Sequence, residues 1–442
     1  MNRPNLLVIH TDQQSSWTLS CYDDSLISTP HADRLAAEGA RFTQFFTNSA
    51  VCTPSRGCFV TGRYPHCHGA YRNNIPLGRD QITFAHILQQ DGYDTGYAGK
   101  WHLDGTPRPG WTHPERSMGF ADARYMFNRG HWKRIDDPPM PQMEPVVHHY
   151  REIGDEHTFT TDWLAQKTID FVQQPRENPF CYMVSIPDPH TPFTVRPPYD
   201  SMYDPQQMPI PDSYYQEDLP DWALDARSGA TGAPDEQTLR RHKAQYCGQV
   251  KLIDDCVGRI LAALEEWDIL DDTIVVFTTD HGEYMGEHGL MAKNLLYETA
   301  YRIPLLIRWP ERIPPGTVVD HIASTVDFQP SILELMGVPA CGREQGRDIS
   351  AVLCGEDEEW IDEAFLHHAS LERAGIFTPE FELAYVKGRD AILFDRKNDP
   401  DQLRNLFGDP NYADAVADLT RRIVDHNTAL DSPATSWLRE IG

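Results

Sequence analysis

No run of eighteen consecutive apolar residues occurs in the 442-residue chain, which excludes a membrane-spanning helix. No C-x-x-C pair occurs either, and the nine cysteines are odd in number and scattered, so reduced thiols are expected rather than a disulfide framework. Positive charge is scarce. Against 66 Asp and Glu stand only 39 Lys and Arg, a formal net charge of −27 that repels nucleic acid and anionic membrane over most of the surface. An anionic substrate would therefore have to be drawn in by a local cationic pocket. Internal repeats and low-complexity tracts are absent. The N-terminal MNRPNLLVIHTDQQ enters an apolar run with no signal-peptide h-region or small-residue cleavage site. A cytoplasmic location is the expectation, or a periplasmic one if a leader has been removed.

What is present suits a chain with a sizeable core: 40% hydrophobic and 24% charged residues, in a length that accommodates one large domain and a smaller one. Strand and helix signals alternate. Leu6 to His10, Phe42 to Phe46, Tyr93 to Gly99, Phe180 to Ile186 and the β-branched Thr273 to Thr279 read as strands. His31 to Ala40, Thr83 to Gln90 and Thr158 to Gln174 read as helices. The longest helix is expected between Glu236 and Trp267, where Tyr246, Val250, Ile253, Val257, Ile260 and Leu264 recur every three or four residues. Such alternation predicts an α/β sandwich around a largely parallel sheet. Residues 103–157 and 187–235, rich in Pro, Asp, Tyr and Trp, interrupt it and are expected to wall a pocket.

Chemistry in open α/β sheets gathers at strand ends. The first strand ends in Asp12-Gln13 and the strand from Thr273 ends in Asp280-His281, a mostly oxygen-donor set for a hard divalent cation, although either pair alone would also serve as a helix cap or turn. Cys52-Thr53-Pro54-Ser55-Arg56 places a cysteine ahead of a helix start, with Thr53 as a cap and Pro54 opening the helix. Alone, that run would fit a buried cysteine equally well.

Together these residues resemble the sulfatase family. Cys52 to Arg56 is similar to its C-x-P-S-R signature, in which the cysteine is oxidised to formylglycine. Thr61-Gly62-Arg63-Tyr64-Pro65 fits the segment after the nucleophile helix, Gly99-Lys100-Trp101-His102 its G-K-W-H segment, and Pro189-His190-Thr191-Pro192-Phe193 its P-H-x-P-F segment. Asp280 to Glu283, Gly286 to Gly289 and Lys293 resemble its D-x-G-E…G-x-H-G…K stretch. Leu393-Phe394-Asp395, Asn398-Asp399-Pro400 and Asn405-Leu406 resemble its closing pattern, so the likeness runs from residue 5 to about 407. The resemblance implies an alkaline-phosphatase-like α/β fold: a catalytic domain over 1–345 and a smaller α+β subdomain over 346–442.

It also implies roles. Asp12, Gln13, Asp280, His281 and an oxygen of the hydrated formylglycine 52 would hold one divalent cation. Arg56, Lys100 and Lys293, with the helix N-terminus, would neutralise the sulfate. His190 or Lys293 would protonate the departing oxygen, and His102 would take the proton of the second diol hydroxyl, expelling sulfate. Many sulfatases carry Asp-Asp and Asp-Asn where this chain has Asp12-Gln13 and Asp280-His281. Calcium is the first expectation, with magnesium or manganese as alternatives. The same pairs resemble phosphonate monoester hydrolases, so a phosphonate or phosphodiester substrate is the competing enzyme reading. A non-catalytic binder of sulfated ligands, with Cys52 unmodified, is a third. The expected partners are a sulfate ester or sulfated sugar and a maturation enzyme of the formylglycine-generating or radical type; oligomeric state is not legible. Asn73 follows the signature closely enough to reach the pocket. Phe127 to Lys133 mixes cations, amide and aromatics in a way that suits an anionic sugar, and Cys58 and Cys67 read as small buried hydrophobes.

Overall fold

The computed structural model describes residues 3–22, 26–106, 110–136, 152–356, 359–368 and 371–441. Parts of the first expected insertion, 107–109 and 137–151, lie outside the described residues. Ten strands form the main sheet: β1 (Asn5–Asp12), β2 (Ala40–Phe46), β3 (Asp94–Lys100), β4 (Gly110–Trp111), β5 (Asp122–Arg129), β6 (Phe180–Pro189), β7 (Thr273–Thr279), β8 (Arg302–Arg308), β9 (Thr317–Val319) and β10 (Ala323–Ser324). Their order is β10-β2-β8-β7-β1-β6-β3-β5-β4, with β9 beside β2.

β1 lies between β7 and β6, parallel to both, with Leu7 opposite Val275 and Tyr182. Both of its faces are covered, so its sequence is continuously apolar rather than alternating. Leu6 and Val8 enter one core with Phe42, Phe59 and Trp101. Leu7 and Ile9 enter the opposite core with Val250, Ile253, Val257, Ile260 and Leu264 of the helix Glu236–Glu266. The helical periodicity thus marks the face that covers the sheet.

Two features depart from the alternating pattern. β8 runs antiparallel between β2 and β7 and carries Pro304. A proline within a sheet removes a ladder donor; here the register of β2 slips between Phe42 and Phe45, opposite Leu305 and Ile303, so the bulge falls where Pro304 has no N–H to give. The region 103–157, read as an interruption, supplies β4 and β5 and so extends the sheet beyond β3.

A second sheet follows: four antiparallel strands, β11 (Ala364–His367), β12 (Arg373–Phe377), β13 (Phe381–Val386) and β14 (Ile392–Asp395), in sequential order. One face packs Leu366, Phe377, Ala384 and Phe394 against Phe46, Tyr297 and Tyr301 of the main body. The other takes Leu419 and Ile423 of the helix Ala413–Ala429. A large, mostly parallel sheet with a small antiparallel one at the C-terminal end is the α/β architecture expected. Among the described residues no helix is long and apolar enough to cross a membrane.

Candidate active site at the strand ends

Because β1, β3, β6 and β7 are parallel neighbours, their C-terminal ends open on one side of the sheet. That side collects Asp12 and Gln13 after β1, Lys100 and His102 at the end of β3, His190 after β6, and Asp280 and His281 after β7. The close approach of β3 to β6 depends on Gly99: its φ is +101°, and a Cβ there would sit 1.9 Å from the Ser185 carbonyl oxygen.

The helix Cys52–Thr61 points its first turn into this collection. Its start differs from expectation. Val51 occupies the N-cap with no capping side chain, and Cys52, not Pro54, opens the helix. Thr53 does not cap; its hydroxyl donates to the His102 carbonyl at 2.9 Å. The orphan N–H of Thr53 is taken instead by Asn73 Oδ1 at 3.2 Å. Pro54 is tolerated because a first-turn position needs no N–H.

Arg56 is buried and knits the site together. It donates to Asp12 Oδ2 and Asp280 Oδ2, each at 3.0 Å, to the Lys100 carbonyl at 2.8 Å and to Ser185 Oγ at 2.7 Å. Lys100 adds its ammonium to Asp12 Oδ2. Burial favours neutral carboxyls, but Lys100, His190 and Arg56 hold Asp12 well below its ordinary range. Asp280 is also lowered: burial and Asp12 oppose this, and His281 and Arg56 outweigh them.

With both carboxylates ionised and their Oδ2 atoms turned to cations, the remaining donors face Cys52. Its Sγ, which stands where a nucleophile oxygen would stand in an oxidised residue, lies 3.2 Å from His281 Nε2 and 3.9 Å from Asp12 Oδ1. His281 Nδ1 is 3.0 Å from the Gly282 carbonyl, which places a proton on Nδ1; burial opposes a charged ring, but Asp280 and Cys52 raise it above its ordinary value, and Nε2 becomes a metal donor when a cation displaces its proton. Donor atoms of Asp12, Cys52, Asp280 and His281 all lie within 4.8 Å of one another and all four residues are buried. Two ionised carboxylates, an imidazole nitrogen and the position-52 side chain make a set that fits one divalent cation. Burial and Asp12 act to raise the Cys52 thiol, yet Lys100, Lys293 and His281 bring it below its ordinary value.

Gln13 and Lys293 lie on the pocket's other wall. Lys293 Nζ donates to Gln13 Oε1 and sits 3.0 Å from His190 Nε2. Gln13 Nε2 donates to Glu283, whose other oxygen accepts the N–H groups of Met285 and Ala292. The Glu283 carboxylate thereby closes the loop that carries Lys293 and fixes which end of the Gln13 amide faces the pocket. His102, in a left-handed conformation at φ +58°, is buried with no protein hydrogen-bond partner on either ring nitrogen among the described residues. Burial, Lys100 and Arg56 keep it neutral by lowering it well below the usual imidazole value.

All eleven residues singled out from the sequence therefore converge, Asn73 as a partner of the helix start. Sequence reasoning gave no role to Ser185, to Glu283 of the D-x-G-E match or to His131. His131 follows β5 by two residues and stacks on His190, rings parallel within 5° at 3.8 Å. The mixed segment Phe127 to Lys133 was the available signal, but the residue in it that reaches the pocket depends on β5 lying beside β3. Cys58 is fully buried as expected, whereas Cys67 is half-buried and accepts from Gln345 Nε2 at 3.1 Å.

Comparison with known proteins identifies the family. The sequence profile of the sulfatase family matches residues 4–338, and that of the N-sulphoglucosamine sulphohydrolase C-terminal region matches 286–429. The chain is 31% identical to the uncharacterized sulfatase YidJ of Escherichia coli, covering 99% of this chain and 90% of that one. It is 28% identical to an N-acetylglucosamine-6-O-sulfatase of Bacteroides thetaiotaomicron, covering 93% and 84%. A solved structure containing D-glucosamine-2-N,6-O-disulfate as its substrate superposes with a TM-score of 0.80 at 25% identity, covering 97% and 98%. A phosphonate monoester hydrolase of Agrobacterium radiobacter shares the fold, with a TM-score of 0.80 at 23% identity over 97% and 96%. The chain belongs to the sulfatase family, hydrolases of sulfuric esters on the alkaline-phosphatase-superfamily fold.

Proposed function

We propose that this sulfatase hydrolyses the sulfate monoester of a sulfated sugar with a nucleophile derived from Cys52 by oxidation to formylglycine. The observation that carries this reading is the convergence of Cys52, Asp12, Asp280 and His281 within 4.8 Å, at the mouth of a helix, beneath Lys100 and Lys293. The sugar is suggested by the glucosamine sulfates named for the relatives.

The residues divide the work by charge. Arg56 and Lys100 offset the buried carboxylates, and Lys100 and Lys293, with the positive end of the Cys52 helix dipole, face the sulfuryl oxygens. A hydroxyl of the hydrated position-52 aldehyde attacks sulfur in line with the ester oxygen. Lys293 and His190, 3.0 Å apart, deliver the proton to the departing sugar oxygen. His102, neutral and unpartnered, takes the proton of the remaining hydroxyl, so that sulfate leaves and the aldehyde is restored. A divalent cation held by Asp12, Asp280, His281 and residue 52, with calcium first and magnesium or manganese as alternatives, supplies charge neutralisation when bound. Gln13 turns its amide oxygen to the same space.

Mass spectrometry of the Cys52 peptide from the native host tests the nucleophile: formylglycine is expected, and an unmodified thiol would overturn it. Steady-state assays on glucosamine 6-sulfate, an aryl sulfate and an aryl phosphonate monoester test the substrate. Sulfate release is expected to dominate. The Gln13 and His281 pairs favour the phosphonate alternative, and a preference for phosphorus would establish it. Cys52→Ala should reduce turnover to background with the fold intact.

A further inference from the structure

We propose that His131 is a positioning residue for this reaction, holding the Lys100 ammonium on Asp12 and keeping the His190 ring turned to Lys293. The proposal rests on the catalytic reading above. His131 reaches the pocket because β5 pairs in parallel with β3, with Phe127 beside Lys100. Its Nε2 lies 3.0 Å from Lys100 Nζ. An ammonium has only protons to offer, so Nε2 is the acceptor and the ring proton belongs on Nδ1.

The same logic holds across the stack. His190 Nδ1 is 2.8 Å from the Thr191 carbonyl, and its Nε2 is 3.0 Å from Lys293 Nζ. Each imidazole is thus fixed at one nitrogen by a lysine and on one face by the other ring, at 3.8 Å and 5°. Donor atoms of Asp12, His131 and His190 lie within 4.8 Å of one another, so the stack stands at the edge of the reacting centre.

Lysine is a flexible four-carbon stem ending in a point charge, and holding it in one rotamer costs side-chain entropy. Asp12 and His131 give Lys100 two acceptors, which selects one position for the ammonium. The flat face of His131 likewise restricts rotation of His190, whose own backbone follows a strand end rather than a helix. Removal of His131 should leave every group that contacts the sulfate present but less well placed, the kind of change that lowers turnover more than binding.

Three variants separate the two contacts. His131→Phe keeps a flat ring and loses the acceptor; His131→Gln keeps an acceptor and loses the ring; His131→Ala loses both. On the ester that the wild type hydrolyses best, His131→Ala is expected to lower kcat about 100-fold with KM changed less than about threefold, and each of the other two to lower kcat about tenfold. Adding His131→Ala to Lys100→Ala or to His190→Ala should cost far less than the product of the single losses, because the partner being positioned is already gone. Retention of kcat within about twofold in His131→Ala, or losses that multiply in both double variants, would overturn the proposal. Melting temperatures report the fold, and should His131→Ala melt early, the two volume-filling variants carry the same comparison. A wild type that turns over no sulfate or phosphonate ester would instead overturn the catalytic reading itself.

Discussion

In the strand-end pocket, His131 and His190 lie face to face with a lysine on each Nε2. Beneath the C-terminal helix a second pair is arranged otherwise: His367 and His426 meet Nε2 to Nε2 at 3.1 Å, with Phe365 stacked on His426 at 3.6 Å and Tyr64 4.8 Å from both rings. The first pair is embedded in charge, among Asp12, Lys100 and Lys293. The second is embedded in aromatics, with His66 and Arg347 as its ionic neighbours. Identical side chains therefore serve two ends. Where compensated charges surround an imidazole, an anion can exchange places in the network. Where rings surround it, the imidazole is a packed polar hinge pin between β11, the helix Ala413–Ala429 and the segment after the Cys52 helix.

The largest expected effect comes from breaking the charged region. Arg56→Met removes the one side chain that, among the described residues, bonds both Asp12 and Asp280, leaving Lys100 as the nearest buried cation. Uncompensated buried carboxylates should destabilise the fold by about 3–5 kcal/mol and abolish turnover. Millimolar calcium should restore part of the melting temperature, since a cation on the two carboxylates stabilises the folded state by mass action. Urea denaturation with calcium and with chelator makes the measurement. An Arg56→Met protein as stable as wild type in chelator would remove the distinction between the two regions.

The aromatic region should respond to pH instead. Burial, His66 and Arg347 bring His426 down to about 3, and burial with His426 and His66 lowers His367 well below its ordinary value. Both are neutral when folded and protonate near pH 6.5 when unfolded. The unfolded chain therefore binds more protons below that pH, so the pair's contribution is complete above about pH 6.5 and is lost as pH falls toward 3. Each imidazole should add roughly 1 kcal/mol per pH unit to the slope. His426→Phe, which preserves the stack on Phe365, should flatten the dependence of unfolding free energy between pH 6.5 and 4.5, while lowering stability at every pH by about 1–3 kcal/mol because the buried His367 Nε2 loses its partner. Identical slopes for variant and wild type would show that the pair does not govern acid sensitivity.

The contrast also explains what could be read in the sequence. β1 and β7 announce themselves as continuous apolar runs because both faces are covered, and the helix Glu236–Glu266 by its period. Asp12, Cys52, Lys100, His102, His190 and Asp280 carry recognisable local contexts because each sits at or just beyond the end of an element, and Lys293 because it follows the Gly286 to Gly289 match on its loop. His131 does not, since its partner is set by which strands lie side by side, and Glu283, although part of the D-x-G-E match, shows its role only through the closure of the 284–292 loop. β8 was illegible for a local reason: Pro304 argues against a central strand, and only the bulge in β2 accommodates it. The His367–His426 contact joins residues from the second sheet and the last long helix, a pairing with no sequence period at all.

The smallest effect should come from Asn73, where the two regions' logic meets in one side chain. Its Oδ1 caps the Thr53 N–H, a structural duty, while the same amide stands beside the helix start that faces the sulfate. Loss of a cap of this kind costs about 1 kcal/mol. Asn73→Asp retains the acceptor and adds a negative charge next to the substrate anion; Asn73→Ala removes both acceptor and amide. If capping is the whole role, Asp should match wild type in melting temperature and in KM, and Ala should lose only stability. If the amide also donates to the sulfuryl group, Asp should keep the melting temperature yet raise KM by about tenfold, since a carboxylate cannot donate and repels the ester. The pocket predicts the second outcome, because a half-buried amide that spends its oxygen on Thr53 still has two N–H donors to place.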